Sequence, residues 1–176
     1  MAETAYIGLG SNMGDRLATL QSALAHLCGF ETVTVAAASG AWETAPVGGP
    51  VEQSDYLNAA AALRSDLAPR ELLDTLLEVE RRHGRRRLAR WGPRTLDLDL
   101  LIYGDHHVQE PGLSLPHPRL EERRFVLEPL LEIAPHLTHP VHGNRLSESL
   151  DVLRAQRQER VRRFANLPII GSGTAL

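Results

Sequence analysis

Two aspartates, Asp97 and Asp99, stand two residues apart inside the apolar run RWGPRTLDLDLLIYGD at residues 90–105, and this pair limits what the chain can fold into. The run follows Gly92 and Pro93 and ends at Gly104, so its length and flanks suit a buried strand better than a helix. Side chains alternate between the faces of a strand. One face then reads Leu96, Leu98, Leu100, Ile102, and the other Asp97, Asp99, Leu101, Tyr103. Both carboxylates therefore point the same way at the start of the strand. Like charges at that spacing repel, and burying them is costly unless something cationic neutralises them. A hard cation such as Mg²⁺ is one solution and nearby arginines are another. On spacing alone, a solvent-facing strand end with two salt-bridged aspartates is an equal alternative.

A chain of 176 residues is enough for a single domain with a sizeable core. Its formal net charge of −3 argues against a general nucleic-acid binder. The lone cysteine, Cys28, permits no intramolecular disulfide and sits on a helical Ala/Leu pattern as a structural thiol. No signal-peptide pattern opens the chain and no apolar run is long enough to span a membrane, so a cytoplasmic location is the expectation. All 19 basic residues are arginine. The absence of lysine excludes a P-loop, a protein-kinase strand lysine and Schiff-base chemistry. Any phosphate handled here must be held by arginine, metal and backbone N–H groups.

The spacing of apolar residues predicts strands over 4–10, 32–43 (with Gly40 as a possible bulge), 55–65 and the aspartate run. Helices are predicted over 15–28, 69–82, 123–134 and from about 146. Pro69 suits a first helical turn. The order β-α-β-β-α-β is the ferredoxin-like arrangement, an α+β fold in an α/β sandwich. Residues 1–154 form the expected domain. Residues 155–176 are a C-terminal extension, open between a loose tail and an added strand.

Seven arginines, Arg81, Arg82, Arg85, Arg86, Arg87, Arg90 and Arg94, crowd the fourteen residues before the aspartate strand, with Trp91 among them. Charge runs are usually solvated loops. Beside a carboxylate pair, however, guanidinium forks that match phosphate oxygens favour a polyphosphate site. Glu80 continues the apolar stripe of Leu73 and Leu76, either anchoring that loop or fraying into solvent. Tyr56 and Asn58 share a strand face, where an aromatic platform beside an amide could hold a flat heterocycle. GSNMGD after the first strand is a weak candidate for a phosphate turn. His117, between two prolines, faces a phosphate or caps a turn.

Taken together, YIGLGSNMGDR, ETAPVGGPVEQSDYLNAA, RWGPRTLDLDLLIYGD and LPHPRLEERRFVLEPLLEIAP resemble the 6-hydroxymethyl-7,8-dihydropterin pyrophosphokinases of folate biosynthesis, over about residues 5 to 152. The resemblance implies transfer of pyrophosphate from ATP to the pterin hydroxymethyl oxygen, with release of AMP. It implies that Asp97 and Asp99 hold two Mg²⁺ ions. It places the pterin between Tyr56 and Phe125, read by Asn58 and the backbone around Thr44 to Val47 and closed over by Trp91. Arg85, Arg94, Asp97 and Asp99 make up the implied catalytic set. Arg87, Leu100, Ser114, His117 and Arg123 fall at nucleotide-contacting positions, and Asn12 and Glu80 are supports. The loops at 45–50 and 84–94 are expected to close when ATP binds. The expected partners are ATP and the pterin, with no nucleic acid and no membrane, and a monomer. Three rival classes share part of the pattern. An RNA-binding β-α-β-β-α-β module lacks its strand aromatics here. A D-x-D nucleotidyl- or glycosyltransferase would not need the Tyr56/Asn58/Phe125 platform. A regulatory ligand-binding domain would show no Mg²⁺-dependent turnover.

Overall fold

The computed structural model describes residues 1–46, 52–84 and 95–169. The chain runs through β1 (Glu3–Ser11), α1 (Arg16–Cys28), β2 (Val33–Ala38), β3 (Ala41–Thr44), β4 (Tyr56–Ser65), α2 (Pro69–Arg82) and β5 (Asp97–Tyr103). A small hairpin of β6 (Val108–Glu110) and β7 (Leu113–Leu115), a 3₁₀ turn (Leu120–Glu122), α3 (Arg124–Ile133), α4 (Leu146–Gln156) and β8 (Val161–Ala165) follow. Among the described residues no helix is long and apolar enough to cross a membrane.

The main sheet is antiparallel in the order β5-β1-β4-β3-β8, and β2 also pairs with β4. The strand expected over 32–43 is thus two strands laid end to end along β4 and broken at Ser39–Gly40. The break is fixed by side chains. Ser39 Oγ accepts from the Ala60 N–H at 2.8 Å, and the Gly40 N–H donates to Glu132 of α3 at 3.0 Å. Counted as one strand, β2/β3 completes the ferredoxin-like order. Of the two alternatives for the tail, residues 161–165 form an added strand on the outer edge of β3.

The starts of α1 and α2 have local causes. Asp15 caps α1 by accepting the Ala18 N–H at 3.0 Å. That carboxylate occupies the helix start where GSNMGD might have cradled a phosphate. Pro69 opens α2, and Glu71 accepts the Ala68 N–H at 2.9 Å. α1 and α2 pack on one sheet face around Ile7, Leu9, Leu57, Leu63, Leu98 and Leu100. α3 and α4 cover part of the other face, where Ala60, Leu101 and Ile102 meet Leu127, Leu130, Leu146 and Leu150.

The simple alternation expected along β5 does not persist. Tyr6 faces Ile102 while Ile7 faces Leu100, so Leu101 is an extra residue, and parity reverses beyond it. Asp97, Asp99, Leu101 and Ile102 share one face, and Leu98, Leu100 and Tyr103 share the other. The bulge carries the Tyr103 ring into the α1/α2 core, where its hydroxyl lies 2.6 Å from the Leu67 carbonyl and 3.1 Å from that of Ser65. Tyr103→Phe should lower unfolding stability by about 1–2 kcal/mol, since buried acceptors lose their donor. Urea denaturation measures the loss, and turnover should be unchanged because the ring lies on the face away from the aspartates.

Candidate functional site

The α3–α4 layer leaves the other half of its sheet face bare, and a cavity of about 350 Å³ opens there. Its floor is three neighbouring strands in register. Asn58 of β4 lies opposite Gly10 of β1, and Gly10 lies opposite Asp97 of β5; one row further on, Ala60, Gly8 and Asp99 align. Tyr56 sits beside Thr44 across the β3–β4 pair. Glycine on the central strand exposes backbone between an amide on one side and two carboxylates on the other. A Cβ on Gly10 would lie 3.0 Å from Asn58 Oδ1. Asn58 is itself fixed, donating from Nδ2 to Thr44 Oγ1 at 2.7 Å.

The opposite wall comes from the segment after β7 and the start of α3. His117, Arg119, Glu122, Arg123, Phe125 and Val126 line it. His117 follows the cis Leu115–Pro116 peptide, and its N–H donates to the Leu101 carbonyl at 2.8 Å. Its Nδ1 accepts the Arg119 N–H at 3.1 Å, which leaves the ring proton on Nε2. Burial first, then Arg123 and Arg119, lower its pKa to about 4, against a weaker pull from Asp97. The imidazole is therefore neutral at physiological pH. Arg123 is half-buried with its guanidinium 5.7 Å from the Phe125 ring centroid. Burial and Arg119 lower its pKa while Asp99 and Asp97 draw it up, so Arg123 feels both aspartates across the cavity.

Of the residues expected from sequence, Thr44, Tyr56, Asn58, Asp97, Asp99, His117, Arg123 and Phe125 come together around this cavity. Leu100 does not line it. Its side chain is buried on the opposite face of β5, and Ser114 sits on the β6–β7 hairpin with Oγ 3.5 Å from Gln109 Oε1. Asn12 and Glu80 stand behind the site. Asn12 donates to the Ser54 carbonyl at 3.3 Å, tying the end of β1 to the segment before β4. Glu80 is buried and accepts the Leu98 N–H at 2.8 Å, which fixes the backbone between the two aspartates. Val47, Arg85, Arg87, Trp91 and Arg94 lie outside the described residues, as do most of the loops at 45–50 and 84–94.

Sequence reasoning missed Gly8, Gly10, Gln53, Arg119, Glu122 and Glu159. Two glycines at alternate positions of a predicted strand were a usable signal, because they mark a face with no side chains. Nothing in the tail singled out Glu159.

Asp97 and Asp99 offer an all-oxygen, same-face donor set suited to a hard divalent cation. A second cluster, Glu121, His139 and His142, has possible ligand atoms within 4.8 Å of one another. There, His139 Nδ1 accepts the Val141 and His142 N–H groups, so Nε2 carries the proton and faces Glu121. That is a hydrogen-bonded knot behind the 3₁₀ turn, not a ligand set.

A family model described as 7,8-dihydro-6-hydroxymethylpterin-pyrophosphokinase (HPPK) matches residues 6–135. Proteins described as 2-amino-4-hydroxy-6-hydroxymethyldihydropteridine pyrophosphokinase are similar to the chain. The one from Bacillus subtilis is 46% identical over 133 residues, 76% of this chain and 79% of that protein. The one from Synechocystis sp. is 44% identical over 147 residues, 84% and 74% respectively. Among solved structures, HPPK-DHPS of Plasmodium falciparum shares the fold with a TM-score of 0.70 at 14% identity, over 90% of this chain and 45% of that longer one. With the match spanning both the aspartate strand and the cavity's opposite wall, the chain belongs to the 7,8-dihydro-6-hydroxymethylpterin-pyrophosphokinase family.

Proposed function

We propose that this cavity is where the chain carries out its family's reaction: transfer of the pyrophosphoryl group of ATP to the hydroxymethyl oxygen of 6-hydroxymethyl-7,8-dihydropterin, releasing AMP. The observation that carries the proposal is the register of the floor, with Asn58 and Asp97 on either side of Gly10. The pterin ring lies between Tyr56 and Phe125, its polar edge read by Asn58 and by the backbone from Thr44 towards Val47. Its hydroxymethyl arm crosses Gly10 towards Asp97 and Asp99. The phosphates of ATP lie between these aspartates and the Arg123–His117 wall, with Arg85, Arg87 and Arg94 as further cationic contacts and Trp91 over the pterin. The nucleoside end is assigned to Ser114 and to backbone near Leu100. The working form is a cytoplasmic monomer.

Asp97 and Asp99 would hold Mg²⁺, two ions in our reading, which when bound supply charge neutralisation for the phosphates and polarise the acceptor hydroxyl. The protein's own work is positioning and electrostatics. Arg123 opposes charge building on the transferred group. Neutral His117 donates from Nε2, a hydrogen bond to phosphate that needs no prior protonation. No residue is placed as a general base.

Purified protein with ATP and Mg²⁺ should release AMP only when the pterin is added; ADP in its place would overturn the reaction. Asp97→Asn should lower turnover on the order of a hundredfold or more, with pterin binding retained within about twofold. Gly10→Ala should shift the Asn58 amide and weaken pterin binding on the order of tenfold, the worth of about one hydrogen bond, leaving ATP affinity unchanged. His117 should titrate near pH 4 in the free protein, read by NMR. The unfolded imidazole titrates near 6.5, so the folded pKa is lowered and protonation favours unfolding. The stability His117 contributes is full above pH 6.5 and is lost as pH falls towards 4. The urea midpoint of His117→Asn should fall less steeply than wild type across that window.

A further inference from the structure

We infer that Glu159 is a positioning residue for the pterin slot, holding its aromatic wall in place from the C-terminal segment. The inference rests on the reading that Phe125 stacks against the pterin. α3 starts without a cap of its own, since the N-cap residue Arg123 makes no side-chain capping bond. Glu159 supplies the missing acceptor from thirty-five residues away. Its Oε1 accepts the Arg124 N–H at 3.2 Å and its Oε2 accepts the Phe125 N–H at 3.3 Å. A carboxylate forked across the first two amides of a helix satisfies orphan donors and complements the helix dipole. Here it also fixes the backbone that carries the Phe125 ring. Arg123 lies over one face of that ring, and the ring lines the cavity.

The same short segment reaches the facing wall. Arg124 Nη1 donates to the Glu159 carbonyl at 3.3 Å, the Ala45 N–H donates to the Arg160 carbonyl at 3.3 Å, and Arg160 pairs with Asp55 at 2.6 Å. Thr44 and Tyr56 neighbour those last two contacts. Glu159 itself lines the cavity. The C-terminal segment therefore sets the spacing between the two sides that grip a flat ring, and Glu159 is its only carboxylate on α3's first amides among the described residues.

The test compares Glu159→Ala, Glu159→Gln and Arg163→Ala. Arg163 lies on the same segment but binds Glu132, and it does not line the cavity. Glu159→Ala should weaken pterin binding about fivefold to tenfold, the worth of a helix cap. Binding of a non-hydrolysable ATP analogue should stay within about twofold. Glu159→Gln, which keeps one acceptor, should fall between, and Arg163→Ala should leave the pterin dissociation constant at the wild-type value whatever it does to the melting temperature. Hydrogen exchange at the Arg124 and Phe125 amides should quicken in Glu159→Ala. That readout needs no substrate, so it separates this inference from the pyrophosphokinase reading. Unchanged amide protection, or pterin and nucleotide affinities falling together in step with melting temperature in all three variants, overturns the positioning role. Wild-type protein that binds no pterin overturns the functional reading on which the role rests.

Discussion

Everything around the cavity answers to the repulsion between Asp97 and Asp99. Side chains two apart on a strand are separated by about 7 Å, and at an effective dielectric of about 20 two like charges there repel by roughly 2 kcal/mol. A helix packed over them would add a desolvation cost with nothing to offset it. The fold keeps that half of the sheet open and faces the pair with cationic and donor groups, Arg123 and His117; burial and neighbouring arginines lower both pKa values, against a weaker upward pull from Asp97 on each. The bulge at Leu101 marks the boundary. Before it β5 presents charge to the open face, and after it Ile102 joins Leu101 under Leu127 and Leu130.

Such an opening needs stiff edges, and α3 supplies them through two carboxylates, buried Glu128 and exposed Glu132, as well as apolar packing. Glu128 is buried against Arg124 and Arg154; burial pushes its carboxyl up in pKa, and the two guanidinium groups outweigh that to bring it below the usual range. Glu132 accepts from the Gly40 N–H, the Trp42 indole and Arg163, and so couples the helix to the β2/β3 break and to β8. A Cβ at Gly40 would meet the Arg163 guanidinium, so a larger residue there would push that side chain off Glu132. Removing one partner from buried Glu128 strands a charge, so that link resists distortion more than its net contribution to stability suggests.

Period-2 and period-3.6 patterns were enough to read the strand–helix order and the shared face of Asp97 and Asp99, since both depend on local alternation. They failed where a tertiary contact overrode it. Tyr103 was expected beside the aspartates, but a buried phenol needs an acceptor. The carbonyls of Ser65 and Leu67 are on the other face, reached by one extra residue at Leu101. The β6–β7 hairpin escaped notice because each strand has three residues, too short for a periodic signal, although Pro111–Gly112 is a turn dipeptide. The tail stayed open between a loose extension and an added strand for a different reason. Arg160, Arg162 and Arg163 read as a solvated charge run until Asp55, Glu43 and Glu132 are seen opposite them. A pairing between residues more than thirty positions apart leaves no mark on local composition.

The first two of those pairs fasten the sheet edge beside the cavity. Glu43 is buried and held between Arg16 at the start of α1 and Arg162 on β8, which draw its carboxyl below the ordinary range against the cost of burial. Arg16 also donates to the Asp55 carbonyl at 2.8 Å, next to the Arg160–Asp55 pair. The end of β3 and the start of β4 are thus fastened to α1 and to the C-terminal segment. An edge strand would ordinarily be the least constrained part of a sheet. With β8 alongside, Arg162 meets Glu43 of β3, which Arg16 of α1 also holds, so the β3 edge is tied to its neighbours on both sides. Thr44 and Tyr56 are thereby flanked by contacts to α1 and to the C-terminal segment.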